Sequence, residues 1–443
     1  MVKKLEQFTK TFYYTIAGIT LLVVITLVFV FLLGEDGITV KPIVKKIYYA
    51  DNISPTHQLL IDKFNKRYRG KIEVVPINLP FEKFSTNERK ELLIRYLRSK
   101  SDRIDIFAVD QIWVSRFAKW AEPLDRYFQH AFQDKLIRPA LKICQYNKEL
   151  VAVPLYYDVG LLYYNDDILR KAQNYTEIKK ELSNFITWER FVEISKQLKS
   201  LGKSVFLFPA DDYEGLMCSF FELLGNLNQN IISGDTVKLN TPAAVKSLQF
   251  LVDLIYDSKI TPQQVLNFRD PECYKEFAQD NAVFLRGWTG FHFWYRDVIG
   301  PKDVSSKFLA VPLPHFKNGK PSSVIGGWDL MLSKSSKNKN EAIEFMKFMA
   351  SKESQETMFE NGGYLPISKD VYTDDEFIKK HSDIKFYEKI MGTGYYRPFT
   401  EKYTRYSDVI TYYINLAMRK KISVSKALAT AEKLINSHEF FLK

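Results

Sequence analysis

Cysteine is scarce in this chain of 443 residues: Cys144, Cys218 and Cys273 stand far apart and form no CxxC pair. That spacing excludes a disulfide framework and a structural zinc site, and leaves three small side chains suited to burial in apolar surroundings. Histidine is sparse too. Positions 57, 130, 292, 315, 381 and 438 include no HExxH and no pair at metal-ligand spacing, so neither a metal nor an organic cofactor is implied. Gly202-Lys203-Ser204 imitates the end of a phosphate loop, but Gln197 stands where the first glycine belongs, and the segment reads as a helix end. A GxSxG nucleophile elbow, a GxGxxG after a strand and a calcium-loop spacing are all missing. Enzymatic activity is therefore unsupported. A paired-carboxylate glycosidase stays open as an alternative, because its acids come from distant positions.

Clustered charge is missing as well. The chain carries a net charge of +11, yet acids are interspersed with the bases throughout, which describes a solvated surface and implies no nucleic-acid partner. Aromatic residues, by contrast, are abundant at 15%. A composition rich in Lys, Ile, Phe and Tyr weakens each single aromatic as a marker of a site.

One long apolar run is present, and no second run of that length follows it. Phe12 to Leu33 contains no charge, enough residues to span a bilayer at about 1.5 Å each. A cleaved signal has a shorter apolar region of about 7–15 residues and a small-residue cleavage site. Leu32-Leu33-Gly34-Glu35 offers neither, and no cysteine follows to accept a lipid. Lys3, Lys4 and Lys10 precede the run while Glu35 and Asp36 follow it. This favours an uncleaved signal anchor with the remaining chain on the extracytoplasmic face of the cell membrane. Residues 1–46 are thus expected to form the anchor, about 12–33, and a linker around Pro42.

Beyond the linker, short apolar runs alternate with helical spacing. Ile47–Ala50, Ile72–Ile77 and Ile104–Val109 read as strands, each separated by a helix. Such alternation predicts a mainly parallel α/β sheet with ligands beyond the carboxyl ends of the strands. Asp51 and Asp110 fall at two of those ends and suit either a ligand or the cap of the following helix. Leu150–Leu155, Ala282–Leu285 and Phe308–Pro314 are further strands. Helices are expected after Thr187 and Thr241, and along Ala342, Phe345, Met346 and Met349, where the spacing is that of a core stripe. At 443 residues the chain exceeds one ordinary core and implies two lobes.

Gly326-Gly327-Trp328-Asp329, with Asn361-Gly362-Gly363-Tyr364 further on, combines a glycine turn, an indole and a carboxylate. That trio suits a sugar, whose apolar face stacks on an aromatic ring while its hydroxyls meet directed acceptors. The same trio also describes a buried anchor.

The order of these motifs resembles the family 1 extracellular solute-binding proteins of ABC importers, the maltose-binding-protein type. Four blocks carry the resemblance: Ile104-Asp105-Ile106-Phe107 through Trp113 to Ala121-Glu122-Pro123-Leu124; Val153-Pro154-Leu155-Tyr156-Tyr157 through Tyr163-Tyr164-Asn165-Asp166; Thr187-Trp188-Glu189 with Phe191; and Gly326-Gly327-Trp328 through Glu341-Ala342-Ile343-Glu344-Phe345 to Gly363-Tyr364-Leu365-Pro366. The resemblance implies a periplasmic-binding-protein-like fold of two α/β lobes joined by a hinge around a cleft. One lobe would comprise 47–154 plus 288–331, the other 155–287 plus 332–443. It implies a carbohydrate ligand, an oligosaccharide by the number of aromatics, and ABC permease subunits as membrane partners. By position it places Trp113, Tyr157, Trp288, Trp328 and Tyr364 as stacking surfaces, and Asp51, Asp110, Asp158, Asp329 and Arg397 as hydrogen-bonding partners. The retained apolar segment departs from the family's cleaved signal and leaves open a ligand sensor that signals to a membrane receptor or kinase.

Overall fold

The structure is a computed structural model that describes residues 2–35, 44–80, 83–84, 86–99, 103–201, 204–233, 236–300 and 304–437. Most of the expected linker and Gly202-Lys203 lie outside the described residues. The chain forms two compact units, Met1–Val44 and Lys45–Lys443.

In the first unit a single helix, Val2–Glu35, contains a stretch Leu5–Phe31 that is long and apolar enough to cross a membrane. Its threonines turn their hydroxyls onto the helix itself. Thr20 Oγ1 donates to the Ile16 carbonyl at 2.9 Å and Thr26 Oγ1 to the Leu22 carbonyl at 2.7 Å. Bonding four residues back lets a polar side chain sit in an apolar run without a stranded donor.

Among the described residues the second unit is built on a nine-stranded sheet. Its strands are β1 Lys45–Asp51, β2 Ile72–Asn78, β3 Ile106–Asp110, β4 Val153–Asn165, β5 Ser204–Leu207, β6 Ala282–Trp288, β7 Phe308–Val311, β8 Ser323–Leu332 and β9 Gly394–Tyr396. Their order is β2-β1-β3-β8-β4-β6-β5, with β7 beside β4 and β9 beside β8. Alternating strand and helix gives the parallel pairs β1–β2, β1–β3 and β6–β5, as the spacing predicts.

The middle of the sheet departs from the expected parallel pattern. The thirteen-residue β4 and the ten-residue β8 run antiparallel to each other, from Ile325 opposite Val159 to Leu330 opposite Val153. β8 also continues onto β3, with Trp328 opposite Asp110, while β4 continues onto β6, with Trp288 opposite Gly160. Two strands therefore serve both ends of the sheet. Nearly every residue of β4 and β8 is buried, so both read as continuous apolar runs, as strands covered on both faces do.

The Gly326-Gly327 pair lies inside β8 and forms no turn. Gly327 has φ +152°, and a Cβ there would approach the Tyr156 carbonyl oxygen to 2.6 Å. Glycine is the residue that lets two backbones pass this closely. The sequence signal for a turn was in fact the signal for a close strand crossing with a bulge between Trp328 and Asp329.

Helices cover the sheet with the stripes the periodicity predicts. Lys339–Met349 brings Phe345 against Phe64 at 5.1 Å and Tyr49 at 5.4 Å between ring centroids. At the other end Phe191 meets Phe206 at 5.3 Å and Phe284 at 4.9 Å. Thr187 caps its helix by accepting from the Arg190 amide at 3.3 Å, and Gly363 ends the helix Lys352–Gly362.

Replacing Gly327 by alanine forces a strained backbone against the Tyr156 carbonyl, at a cost of about 1–3 kcal/mol. Urea unfolding of the variant is expected to show a lower midpoint with an unchanged slope; an unaltered midpoint would contradict the close-crossing account.

Candidate functional site

Side chains on a strand alternate between faces, and the β4–β8 pairing sorts the candidate residues accordingly. Gly326 lies opposite Asp158, and Trp328 lies opposite both Tyr156 and Asp110. One face thus gathers Asp110, Tyr156, Asp158 and Trp328. Tyr157 points to the other face, where Asp329 accepts a hydrogen bond from the Cys144 thiol at 3.4 Å. The neighbours Tyr157 and Asp158 cannot act at one point, nor can Trp328 and Asp329.

On the first face the partly exposed centre is Asp158, Trp288 and Tyr364. Trp288 ends β6 and turns its rim toward Gly326, where a Cβ would lie 3.0 Å from the indole and 3.4 Å from the Asp158 Cβ. The Arg286 guanidinium sits 4.0 Å from the indole centroid, a cation–π contact made in a desolvated setting. Arg286 is held in turn by Glu222, whose Oε1 accepts at 2.6 Å. Thr289, next after Trp288, donates to Asp158 Oδ1 at 2.6 Å. Tyr364 is anchored by backbone bonds between Tyr157 and Leu365 in both directions at 3.0 Å, and packs 4.3 Å from Tyr156 and 5.3 Å from His57.

Deeper on the same side, Asp51 accepts from Tyr49 Oη at 2.5 Å, the Asn52 amide at 2.6 Å and Arg89 at 3.2 Å. His57 Nε2 lies 3.7 Å from the same carboxylate. Burial lowers its pKa, which keeps the imidazole neutral at pH 7. The Arg89 guanidinium covers the Trp328 ring at 4.3 Å, and Trp113 meets Trp328 edge-on at 6.0 Å. Trp328 is 7% exposed and Trp113 1%, so both indoles are packed inside. Asp110 caps the turn after β3 through the Ile112 amide at 3.2 Å, and its Oδ1 also accepts from Arg397 at 2.9 Å. Arg397 reaches Glu214 at 2.9 Å on its other side.

Sequence reasoning missed Arg286, Glu222, Arg89, His57, Thr289 and Glu214. Two of them carried a signal. Arg286 interrupts the apolar strand Val283-Phe284-Leu285, and Glu222 interrupts the apolar helix Glu214–Asn226. A charge inside an apolar run requires a partner, and each is the other's.

Burial pushes the Asp158 carboxyl up to about 7, against the pull of the Thr289 hydroxyl, and the Asp329 carboxyl up to about 8. Asp110 adds to both shifts by its negative charge. No group of three or more His, Cys, Asp or Glu that could hold a metal ion occurs among the described residues. A recess of about 660 Å³ beside Lys45 and Lys339 touches none of the candidate residues.

A family model described as a bacterial extracellular solute-binding protein matches residues 49–356. A probable ABC transporter-binding protein of Deinococcus radiodurans is 26% identical over 359 residues, which cover 78% of this chain and 83% of that one. The arabinooligosaccharide-binding protein of Bacillus subtilis is 24% identical over 269 residues, covering 59% and 58%. Among solved structures, maltose-bound MalE3 of T. maritima superposes with a TM-score of 0.79 at 28% identity, covering 89% of this chain and 100% of that one. The cyclic alpha-maltosyl-1,6-maltose binding protein of Arthrobacter globiformis shares the fold, with a TM-score of 0.70 at 19% identity over 89% and 98%.

Two expected outcomes follow from this packing. Trp328→Ala empties a core position beneath Arg89 and should cost about 3–5 kcal/mol of stability, read as a lower denaturant midpoint; a midpoint within error of the parent would mean the indole is not packed as described. The two raised carboxyls make the folded state bind more protons than the unfolded chain above about pH 4. Their stabilisation is complete below that pH and is lost as pH rises through about 7 for Asp158 and about 8 for Asp329. Asp329→Asn should therefore lose less stability than the parent between pH 6 and 9, and parallel pH profiles would contradict the protonated Asp329.

Proposed function

The chain belongs to the bacterial extracellular solute-binding proteins, with the two-lobed fold of maltose-binding proteins, and from that premise we propose that it captures a carbohydrate and delivers it to an ABC importer. The observation that carries the carbohydrate reading is the Asp158–Trp288 pair. A half-buried indole, covered by Arg286 and bordered at its rim by Gly326, offers its remaining surface to the apolar face of a sugar ring. The adjoining Asp158 carboxyl, through its second oxygen, and the Thr289 hydroxyl oxygen, whose proton is given to Asp158 Oδ1, supply acceptors for ring hydroxyls. Tyr364 extends the aromatic surface toward a second ring, which favours an oligosaccharide.

In this reading β4 and β8 pass between the two lobes as hinge segments. Arg397, bonded to Asp110 in one lobe and Glu214 in the other, ties them together. Closure over the ligand removes water, which strengthens each hydrogen bond to a sugar hydroxyl. The reaction required is binding and release, with no bond made or broken. The N-terminal helix acts as an uncleaved anchor that holds the domain on the extracytoplasmic face, where tethering raises its effective concentration at permease subunits.

Titration of the protein with maltose, maltotriose and arabinotriose, followed by tryptophan fluorescence and melting temperature, tests this proposal. A bound saccharide raises the melting temperature. Trp288→Ala is expected to weaken that saccharide at least tenfold, about 1.4 kcal/mol, without unfolding the domain. Unchanged affinity would remove Trp288 from the site, and consumption of the saccharide would replace binding with catalysis.

A further inference from the structure

Where β8 begins, residues 225–230 at the end of the helix Glu214–Asn226, the segment 320–322 and the stretch 392–398 around β9 enclose a recess of about 460 Å³, within the size range of small-molecule sites. Its chemistry differs from that of the recesses beside Lys45 and near Trp120. Among the described residues Lys320 is the one charged side chain lining it, and its Nζ donates to Asn228 Oδ1 at 2.7 Å. The rest of the lining is amide, hydroxyl, glycine, proline and tyrosine. By contrast, the described residues lining a recess of about 370 Å³ near Trp120 include Arg98, Arg116, Lys119, Lys402 and Arg405 with the acid Glu401.

Three features point to a ligand rich in hydroxyls. Tyr396, at the end of β9, lines the recess and is 38% exposed. Asn228, Gln229 and Asn230 also line it: Asn228 Oδ1 accepts from Lys320, Gln229 Nε2 donates to the Asn230 carbonyl at 2.8 Å and Asn230 Oδ1 accepts from the Ile232 amide at 3.1 Å, which leaves two amide nitrogens and the Gln229 side-chain oxygen for a ligand. Ser322 lines the recess, is 4% exposed, and its Oγ has no hydrogen-bond partner. A buried hydroxyl without a partner is costly. Gly225 faces it, and a Cβ there would lie 2.0 Å from Ser322 Oγ, so glycine leaves that hydroxyl its room.

The walls are held in place. Tyr395 stacks on Phe221 with centroids 5.4 Å apart and donates to the Gln229 carbonyl at 3.3 Å. Asn226 Nδ2 donates to the Lys320 carbonyl at 3.0 Å, and its Oδ1 accepts from Trp188 Nε1 at 3.2 Å. A recess set in advance loses little on binding.

This recess is separate from the Asp158–Trp288 pair. Tyr396 lies beside Ile325 in the sheet, whereas Asp158 lies opposite Gly326, and adjacent strand residues point to opposite faces.

We infer that this recess is a second carbohydrate site, which takes a segment of a neutral oligosaccharide with one ring on Tyr396 and its hydroxyls on the Asn228–Asn230 amides and Ser322. The inference rests on the carbohydrate reading above and adds a site to it. A neutral sugar fits because the described lining offers amide donors, a side-chain amide oxygen and hydroxyls, with one cation already engaged by an amide.

Calorimetric titration of the full-length protein in detergent, with maltohexaose and with arabinohexaose as probes, tests it. The parent protein is expected to bind a probe at two sites of different affinity. Tyr396→Ala and Ser322→Ala should each weaken the second site at least tenfold and leave the first unchanged, Tyr396→Phe should retain both, and Trp288→Ala should weaken only the first. Melting temperatures near the parent's show that each variant is folded. A single site abolished by Trp288→Ala and untouched by Tyr396→Ala or Ser322→Ala overturns the second site and leaves the carbohydrate reading standing. A single site abolished by Tyr396→Ala and untouched by Trp288→Ala supports the recess and removes Trp288 from the function. Absence of binding to both probes overturns the recess together with the carbohydrate reading.

Discussion

The pairing of β4 with β8 is the constraint on which the rest of the second unit depends. Six residue pairs, from Ile325 with Val159 to Leu330 with Val153, fix which side chains share a face. A slip of one residue would send every side chain to the opposite face. It would move Asp158 away from Trp288 and bring Tyr157 into its place. The glycines at 326 and 327 hold that register from both sides, one by admitting the Trp288 rim and the other by admitting the Tyr156 carbonyl. The same two strands continue to β3 at one end and β6 at the other. A movement of one half of the sheet against the other must therefore pass through them.

The second organising feature is a set of buried guanidinium groups, each paired with an acid. Arg286 with Glu222, Arg89 with Asp51, and Arg397 with Asp110 and Glu214 all lie inside the unit. Buried ion pairs are a poor source of stability, since desolvation offsets most of the attraction. Their value here is positional. Arg286 and Arg89 each cover an indole, at 4.0 Å and 4.3 Å, so two charges that the fold must neutralise also determine how Trp288 and Trp328 are set. The outcome differs with depth: Trp288 keeps an accessible surface, while Trp328, also met by Trp113, does not.

Recognition of a neutral polyol needs flat apolar surface and directed polar groups side by side, and residues of both kinds occur on each side of the β8 strand. On one face they are Trp288, Tyr364, Asp158 and Thr289. At the start of β8 they are Tyr396, the 228–230 amides and Ser322. The acid of the first set responds to pH because burial raises the Asp158 carboxyl to about 7, whereas no carboxyl occurs among the described residues that line the second. The two places are thus built from different polar chemistry around the same kind of aromatic surface.

Some of this was legible in the sequence. The alternation of apolar runs and helical stripes gave β1, β2, β3 and their parallel pairing; Thr187 and Gly363 marked helix ends that the structure places where the spacing put them; and the charge-free stretch after Phe12 defined a helix long enough for a membrane. The order of motifs gave the family. These are properties of neighbouring residues, or of residues at fixed spacing, and local backbone preference and periodicity are sufficient to set them. The antiparallel β4–β8 pairing was not legible, because a strand buried on both faces has no alternation to show, and Gly326-Gly327 carries the same letters in a turn as in a close strand crossing. Nor could the sequence separate Trp288 from Trp328, or Asp158 from Asp329: each pair shares its chemistry, and only the face and depth assigned by distant partners, Arg286 and Gly326 for one, Arg89 and Trp113 for the other, decide which remains within reach of solvent. The sequence determined the elements and the kinship; burial, which depends on contacts between residues far apart in the chain, was decided by the tertiary structure alone.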